Sequence, residues 1–90
     1  MRNKEGEIEK TLKALANGRR LAIVAFLKSQ KQASVGEIAE EIRLSFKSTS
    51  RHLSVLRGAE ILEREQQSLQ MFYTIARELP TPARQVITLL

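Results

Sequence analysis

A mainly α-helical domain with one small β-hairpin is what this 90-residue sequence predicts. Three observations carry that prediction. Apolar residues recur at helical spacing in four stretches before Gly58 and in a fifth after Pro82, whereas the segments on either side of Gln67 alternate in polarity as strands do. Glycine and proline together number only six, with 42% hydrophobic and 28% charged residues, which is a folded composition and not that of a disordered tail. Residues 34–57, SVGEIAEEIRLSFKSTSRHLSVLR, hold two short amphipathic patterns joined by a tight turn. The length suits one domain spanning 1–90 with a modest core, so its stability is expected to lean on a partner chain.

The first helix spans about 5–16, with Ile8, Leu12 and Leu15 at helical spacing and Glu5, Glu7 and Glu9 where the helix dipole favours negative charge. Asn17 and Gly18 tolerate the left-handed conformation and are expected to end it. The second helix runs from about Arg19 to Lys28, and its LAIVAFL segment is apolar almost all round, as in a helix central to the core. Ser29 to Ala33 reads as a loop. Ser34 and Glu37 have the spacing of a capping box that opens the third helix, whose apolar side is Val35, Ile38, Ala39 and Ile42. This helix stops near Arg43 and Leu44. Ser45 caps the fourth helix, which reaches Arg57 with Gly58 just past its end, and the short connection makes a helix-turn-helix. Strands at about 61–66 and 70–75 flank Gln67, Ser68 and Leu69 and form a wing, although the turn lacks glycine and asparagine. Thr81 followed by Pro82 reads as the cap and first turn of a fifth helix carrying Val86, Ile87, Leu89 and Leu90, an apolar set that wants cover.

The formal net charge of +5 points to a polyanionic partner. No acidic residue stands between Glu9 and Glu37, nor between Glu41 and Glu60, so Lys10, Lys13, Arg19, Arg20, Lys28 and Lys31, then Arg43, Lys47, Arg51 and Arg57, stand without local neutralisation. On a helical wheel Thr49, Leu53 and Leu56 fall with His52 on one side, and Lys47, Ser50, Arg51 and Ser54 on the other. The first set packs; the second is what a helix in the major groove of DNA needs. Lys47 and Arg51 are one turn apart and positioned for guanine O6 and N7, while Ser50 and Ser54 suit bases or phosphates. Ser34, Ser45 and Ser48 lie at helix starts, where hydroxyls and free backbone N–H groups hold phosphate, though each also reads as a plain cap. Phe46 either touches a thymine methyl or covers the core. Arg64 is the only cation on the hairpin and is opposed by Glu63 and Glu65, so groove contact by the wing is expected to be weak.

Other chemistry finds little to build on. The chain has no cysteine, hence no disulfide and no thiolate metal site, which fits a reducing cytoplasm. His52 is the only histidine. A hydrogen bond to Ser48 is within reach, but no orienting acid lies near, so the reading is a half-buried histidine tying the fourth helix to the core, and no enzyme. The start MRNKEGEIEK is too polar for a signal peptide, and no apolar run spans a membrane.

At these residues the chain resembles the ArsR-type winged helix-turn-helix repressors, many of them metal-responsive. LKALANGRRLAIVAFL at 12–27 resembles that family's LADPTRLRIL segment, SFKSTSRHLSVLRGAEIL at 45–62 its SQSTVSQHLKVLREAGLV segment, and FYTI at 72–75 its final wing strand. The resemblance implies a homodimer joined through the first and last helices, each subunit placing the fourth helix in a major groove of a roughly palindromic operator. Ile8, Leu12, Val86, Leu89 and Leu90 are the expected interface. The family's cysteine motif has no counterpart in ASVGEIAEEI at 33–42, and TPARQVITLL at 81–90 lacks the alternative histidine and carboxylate ligands, so metal sensing is not implied and no cofactor is expected. A small-molecule or protein effector is compatible with the sequence. The alternative function is a winged-helix protein-interaction module without specific DNA binding, which fold alone does not exclude.

Overall fold

The computed structural model describes residues 4–90; Met1, Arg2 and Asn3, the start of the polar N-terminal segment, lie outside the described residues. Helix α1 (Lys4–Leu15) buries Thr11, Ala14 and Leu15. Ile8 and Leu12, expected on its apolar side, point away from this subunit's core and are exposed. Helix α2 (Gly18–Gln30) follows at once. Asn17 does not end α1 in a left-handed conformation: its backbone is extended, and its side chain caps α2 by accepting from the Arg20 N–H at 3.1 Å. Gly18 is the first residue of α2 and has no positive φ.

The stretch expected to be a loop after α2 contains a strand. Lys31 turns the chain at φ 77°, and β1 (Gln32–Ser34) pairs antiparallel with a strand forty residues later, Ala33 lying opposite Tyr73. Helix α3 (Val35–Ile42) has the predicted capping box, Ser34 Oγ accepting from Glu37 N at 3.2 Å and Glu37 Oε1 from Ser34 N at 2.8 Å. Arg43, left-handed at φ 55°, reverses the chain, Ser45 caps, and helix α4 (Phe46–Gly58) begins.

Gly58 is not the residue beyond α4. The helix includes it, and the left-handed residue is Glu60 at φ 63°, where the Ile61 N–H reaches back to the Leu56 carbonyl at 3.0 Å. That six-to-one bond is the Schellman closure, and it delivers Ile61 into the core. Strands β2 (Leu62–Gln67) and β3 (Gln70–Ile75) form the wing around a two-residue turn, Ser68 and Leu69, with Gln67 in the ladder opposite Gln70. Positive φ at Ser68 alone of the two central residues fits a type II′ turn. With β1 the sheet has three strands in the order β1-β3-β2. Helix α5 (Thr81–Thr88) closes the fold; Pro80, and not Thr81, occupies the cap position, with no side-chain cap bond.

The core gathers Ile23, Val24 and Leu27 of α2, Ile38 of α3, Leu53 and Leu56 of α4, and Ile61. Thr49 is buried among them with its hydroxyl unpaired. Architecture and element order are those of a winged helix-turn-helix. No helix of the described residues is long and apolar enough to cross a membrane.

Candidate nucleic-acid interface

Helix α4 presents two faces because its sequence does. Thr49, Leu53 and Leu56 are fully buried, while Phe46, Lys47, Arg51 and Ser54 are exposed and Ser48, Ser50 and Arg57 half-buried. Ser45 Oγ accepts from the Ser48 N–H at 3.1 Å and so fixes the first turn. Among the described residues no carboxylate lies within ion-pair distance of Lys47, Arg51 or Arg57; the ion pair found is Lys13 with Glu9, a turn apart on α1. The exposed cations of α4 therefore keep their charge for an external anion.

Two arginines at the start of α2, which sequence reasoning counted only as charge, hold this helix in place. The Arg19 guanidinium donates to the Ile42 carbonyl, and to that of Arg43 at 3.3 Å, closing the end of α3. Arg20 donates from Nε to the Ala14 carbonyl at 2.6 Å and from Nη2 to that of Lys13 at 3.1 Å, closing the end of α1. Its Nη1 lies 3.1 Å from His52 Nδ1. Adjacent side chains thus tie α2 to both α1 and α3, and through His52 to α4. A signal was available: the LADPTRLRIL segment has arginine in the register of Arg20.

His52 is half-buried and ties α4 to the rest of the fold as expected, but its partner is Arg20 and not Ser48. A guanidinium only donates, so Nδ1 accepts and the ring proton sits on Nε2. Burial first, then the charges of Arg20, Arg19 and Arg51, hold the imidazole pKa below its ordinary value. This is a neutral structural imidazole. Among the described residues no cluster of three or more histidine, cysteine, aspartate or glutamate side chains is arranged to hold a metal.

The remaining sequence candidates divide. Ser34 ends β1 and caps α3, with its hydroxyl engaged in the capping box. Phe46 does not cover the core: it is 63% exposed and stands outside the buried cluster. Arg64 is exposed on β2, between Glu63, which accepts from the Arg77 N–H at 2.8 Å, and Glu65. The structure brings together Ser45 through Arg57 on one helix and leaves Ser34 and Arg64 on separate elements.

Residues 17–64, from the cap of α2 to the first half of the wing, match the model of the family described as bacterial regulatory protein, arsR family. The chain belongs to the arsR family. Over 65 residues it is 37% identical to the transcriptional activator HlyU of Vibrio cholerae, an alignment covering 72% of this chain and 59% of HlyU. Against the transcriptional repressor PagR of Bacillus anthracis it is 36% identical over 64 residues, covering 71% of this chain and 64% of PagR. The solved structure of Vibrio cholerae HlyU superposes with a TM-score of 0.82 at 31% identity, over 99% of this chain and 92% of that one. A homodimeric winged helix-turn-helix DNA-binding domain from Mycobacterium bovis superposes with a TM-score of 0.81 at 27% identity, over 94% of this chain and 75% of that one. The sequence alignments thus span about three fifths of these curated relatives. The matched family is one of bacterial regulatory proteins, and these two relatives are named a transcriptional activator and a transcriptional repressor.

Proposed function

We propose that the protein is a sequence-specific, double-stranded-DNA-binding repressor, a single domain that works as a homodimer with α4 of each subunit in a major groove. The observation that carries this reading is the exposed face of α4: Lys47, Arg51 and Ser54 stand free of carboxylates on a helix whose opposite face is locked into the core. Lys47 and Arg51 read bases, Ser45, Ser48, Ser50 and Ser54 contact bases or backbone, and Arg57 meets phosphate near the helix end. Arg64 adds at most one phosphate contact from the wing, and Ser34 one from the start of α3.

The dimer seam is assigned to α1 and α5, which pack on each other. Ile8, Leu12, Leu89 and Leu90 are exposed there, Leu89 at 84%, beside half-buried Val86. Four large apolar side chains on neighbouring elements need cover in water. Two half-sites one turn of DNA apart, about 34 Å, call for such a two-fold arrangement of the recognition helices. An open cleft of about 670 Å³, lined by Ile8, Thr11, Ala59, Leu79, Pro82 and Gln85, adjoins this seam and offers an effector site. Bound to its operator in the cytoplasm, such a dimer excludes polymerase from the promoter. PagR is named a repressor and HlyU an activator, so the position of the operator relative to the promoter decides the sign.

Fluorescence anisotropy against a duplex from the upstream region of its own gene, at two salt concentrations and with a scrambled competitor, tests the reading. Sequence preference with a steep loss of affinity on adding salt is expected, since each phosphate contact contributes about 0.9 to the log–log slope. Equal, weak binding to both duplexes overturns it in favour of a protein partner.

A further inference from the structure

We propose that Phe46 reads the C5-methyl group of a pyrimidine in the major groove, making methylated pyrimidine a required feature of the operator half-site. The inference rests on the proposed function and adds a specificity determinant to it. Phe46 is the first residue of α4, directly after the Ser45 cap that fixes the backbone there. On a wheel it belongs near Leu53, on the packing side, yet it is 63% exposed and absent from the buried cluster, while Thr49 in the same turn is fully buried. The described residues leave most of its surface uncovered.

What covers it is argued from its neighbours. Lys47 follows it, Ser50 lies one turn further along the same side, and Arg51 is next to Ser50; no carboxylate occurs between Glu41 and Glu60. An apolar side chain set among unneutralised cations suits a polyanion that carries small apolar groups, not a protein surface. The major-groove edge of DNA offers one such group, the pyrimidine C5-methyl, and residues at the start of a recognition helix reach it. A second copy of the chain is the weaker occupant: the apolar seam lies on α1 and α5, α5 packs on α1 and α2 without touching α4, and α1 shares its cleft with Gly58 and Ala59 at the end of α4 opposite Phe46.

Two bases carry this methyl, thymine and 5-methylcytosine, and the test separates them. Binding sites are selected from random duplexes with the wild-type protein. Each thymine is then replaced singly by deoxyuridine, and in a second arm each cytosine by 5-methylcytosine, with Phe46→Ala and Phe46→Leu measured alongside. For wild type, loss of a single thymine methyl from one half-site is expected to weaken binding about four-fold, the worth of one buried carbon. Phe46→Ala is expected to be indifferent at that position while keeping the other base preferences, and Phe46→Leu to retain part of the sensitivity. If the sensitive position is instead a cytosine strengthened by methylation, the methyl contact stands with the other base as its source. Wild type that selects a sequence but ignores every methyl overturns the inference alone, as does Phe46→Ala with an undiminished deoxyuridine effect. Should Phe46→Ala weaken self-association in sedimentation while the methyl profile is flat, Phe46 belongs to a protein contact and the inference fails. Failure of wild type to select any sequence takes down the functional reading itself.

Discussion

Helix α4 and the β2–β3 wing are neighbours in sequence and differ in how they relate to the rest of the molecule. The inner face of α4 is buried side chain by side chain, its flank is tied by His52 to Arg20, and its outer face carries cations with no internal partner. The wing pairs within itself through a six-residue ladder and buries little beyond Leu62 and Tyr73, and its one cation is flanked by two carboxylates. Next to its tip, Gln67 Nε2 donates at 3.2 Å to Glu65 Oε1 within the wing and at 3.2 Å to Gln32 Oε1 of β1. The helix is held by its inner face and crowds unopposed cations on its outer one; the wing is held through β3, which pairs with β1 as well as β2, and offers a single cation beside two carboxylates. For a protein reading DNA, affinity and specificity should then reside almost wholly in α4, with the wing serving to place β3 beside β1 at the entrance to α3.

The largest test of this contrast is a pair of leucines. Leu53, fully buried on α4, is expected to cost about 2 to 5 kcal/mol of folding stability when changed to Ala, through lost burial and the cavity left behind. Leu69, 95% exposed at the wing tip, should change stability by less than about 0.5 kcal/mol. Chemical denaturation midpoints compare them directly, and equal effects would erase the distinction. Next in size is a pair of arginines, read by operator binding. Arg51→Ala should cost about 1 to 3 kcal/mol and relax the base preference, whereas Arg64→Ala should weaken all duplexes alike and lower the salt slope by no more than about 1. An Arg64 effect as large and as sequence-dependent as that of Arg51 would move recognition into the wing.

How much of this was legible beforehand follows the range of the interactions. Ser34 and Ser45 were readable as caps because their bonds, to Glu37 and Ser48, close within three residues. The two faces of α4 were readable because periodicity is local. Strand β1 was not, since Gln32–Ser34 has no pattern of its own and is a strand only because Phe72 to Thr74 lie beside it. The left-handed positions were assigned by residue type to Asn17, Gly18 and Gly58, yet Lys31, Arg43, Glu60 and Ser68 hold them. Such a conformation costs a non-glycine residue about 1 to 2 kcal/mol, and packing beyond the turn, such as Ile61 entering the core after Glu60, sets where it falls. Arg19 and Arg20 were the sharpest loss on the functional side. They looked like part of a basic run, but their partners at Ile42 and His52 lie more than twenty residues away.

The smallest expected effect distinguishes how the two regions are attached. Folding holds the His52 pKa below its unfolded value of about 6.5, through burial and the charges of Arg20, Arg19 and Arg51. Between the lowered value and 6.5 the unfolded chain takes up a proton that the folded chain refuses, so stability is complete above that window and falls as pH drops through it. Protonation also removes the acceptor that faces Arg20 and sets one cation against another. The informative quantity is a difference between variants. His52→Gln keeps an acceptor for Arg20 and abolishes the titration, and its stability should decline less than that of wild type from pH 7 to pH 5. Arg64→Ala, altered only on the wing, should follow the wild-type curve throughout. If His52→Gln also superimposes on wild type, protonation of His52 is not coupled to folding and its contact with Arg20 adds no pH-dependent stability.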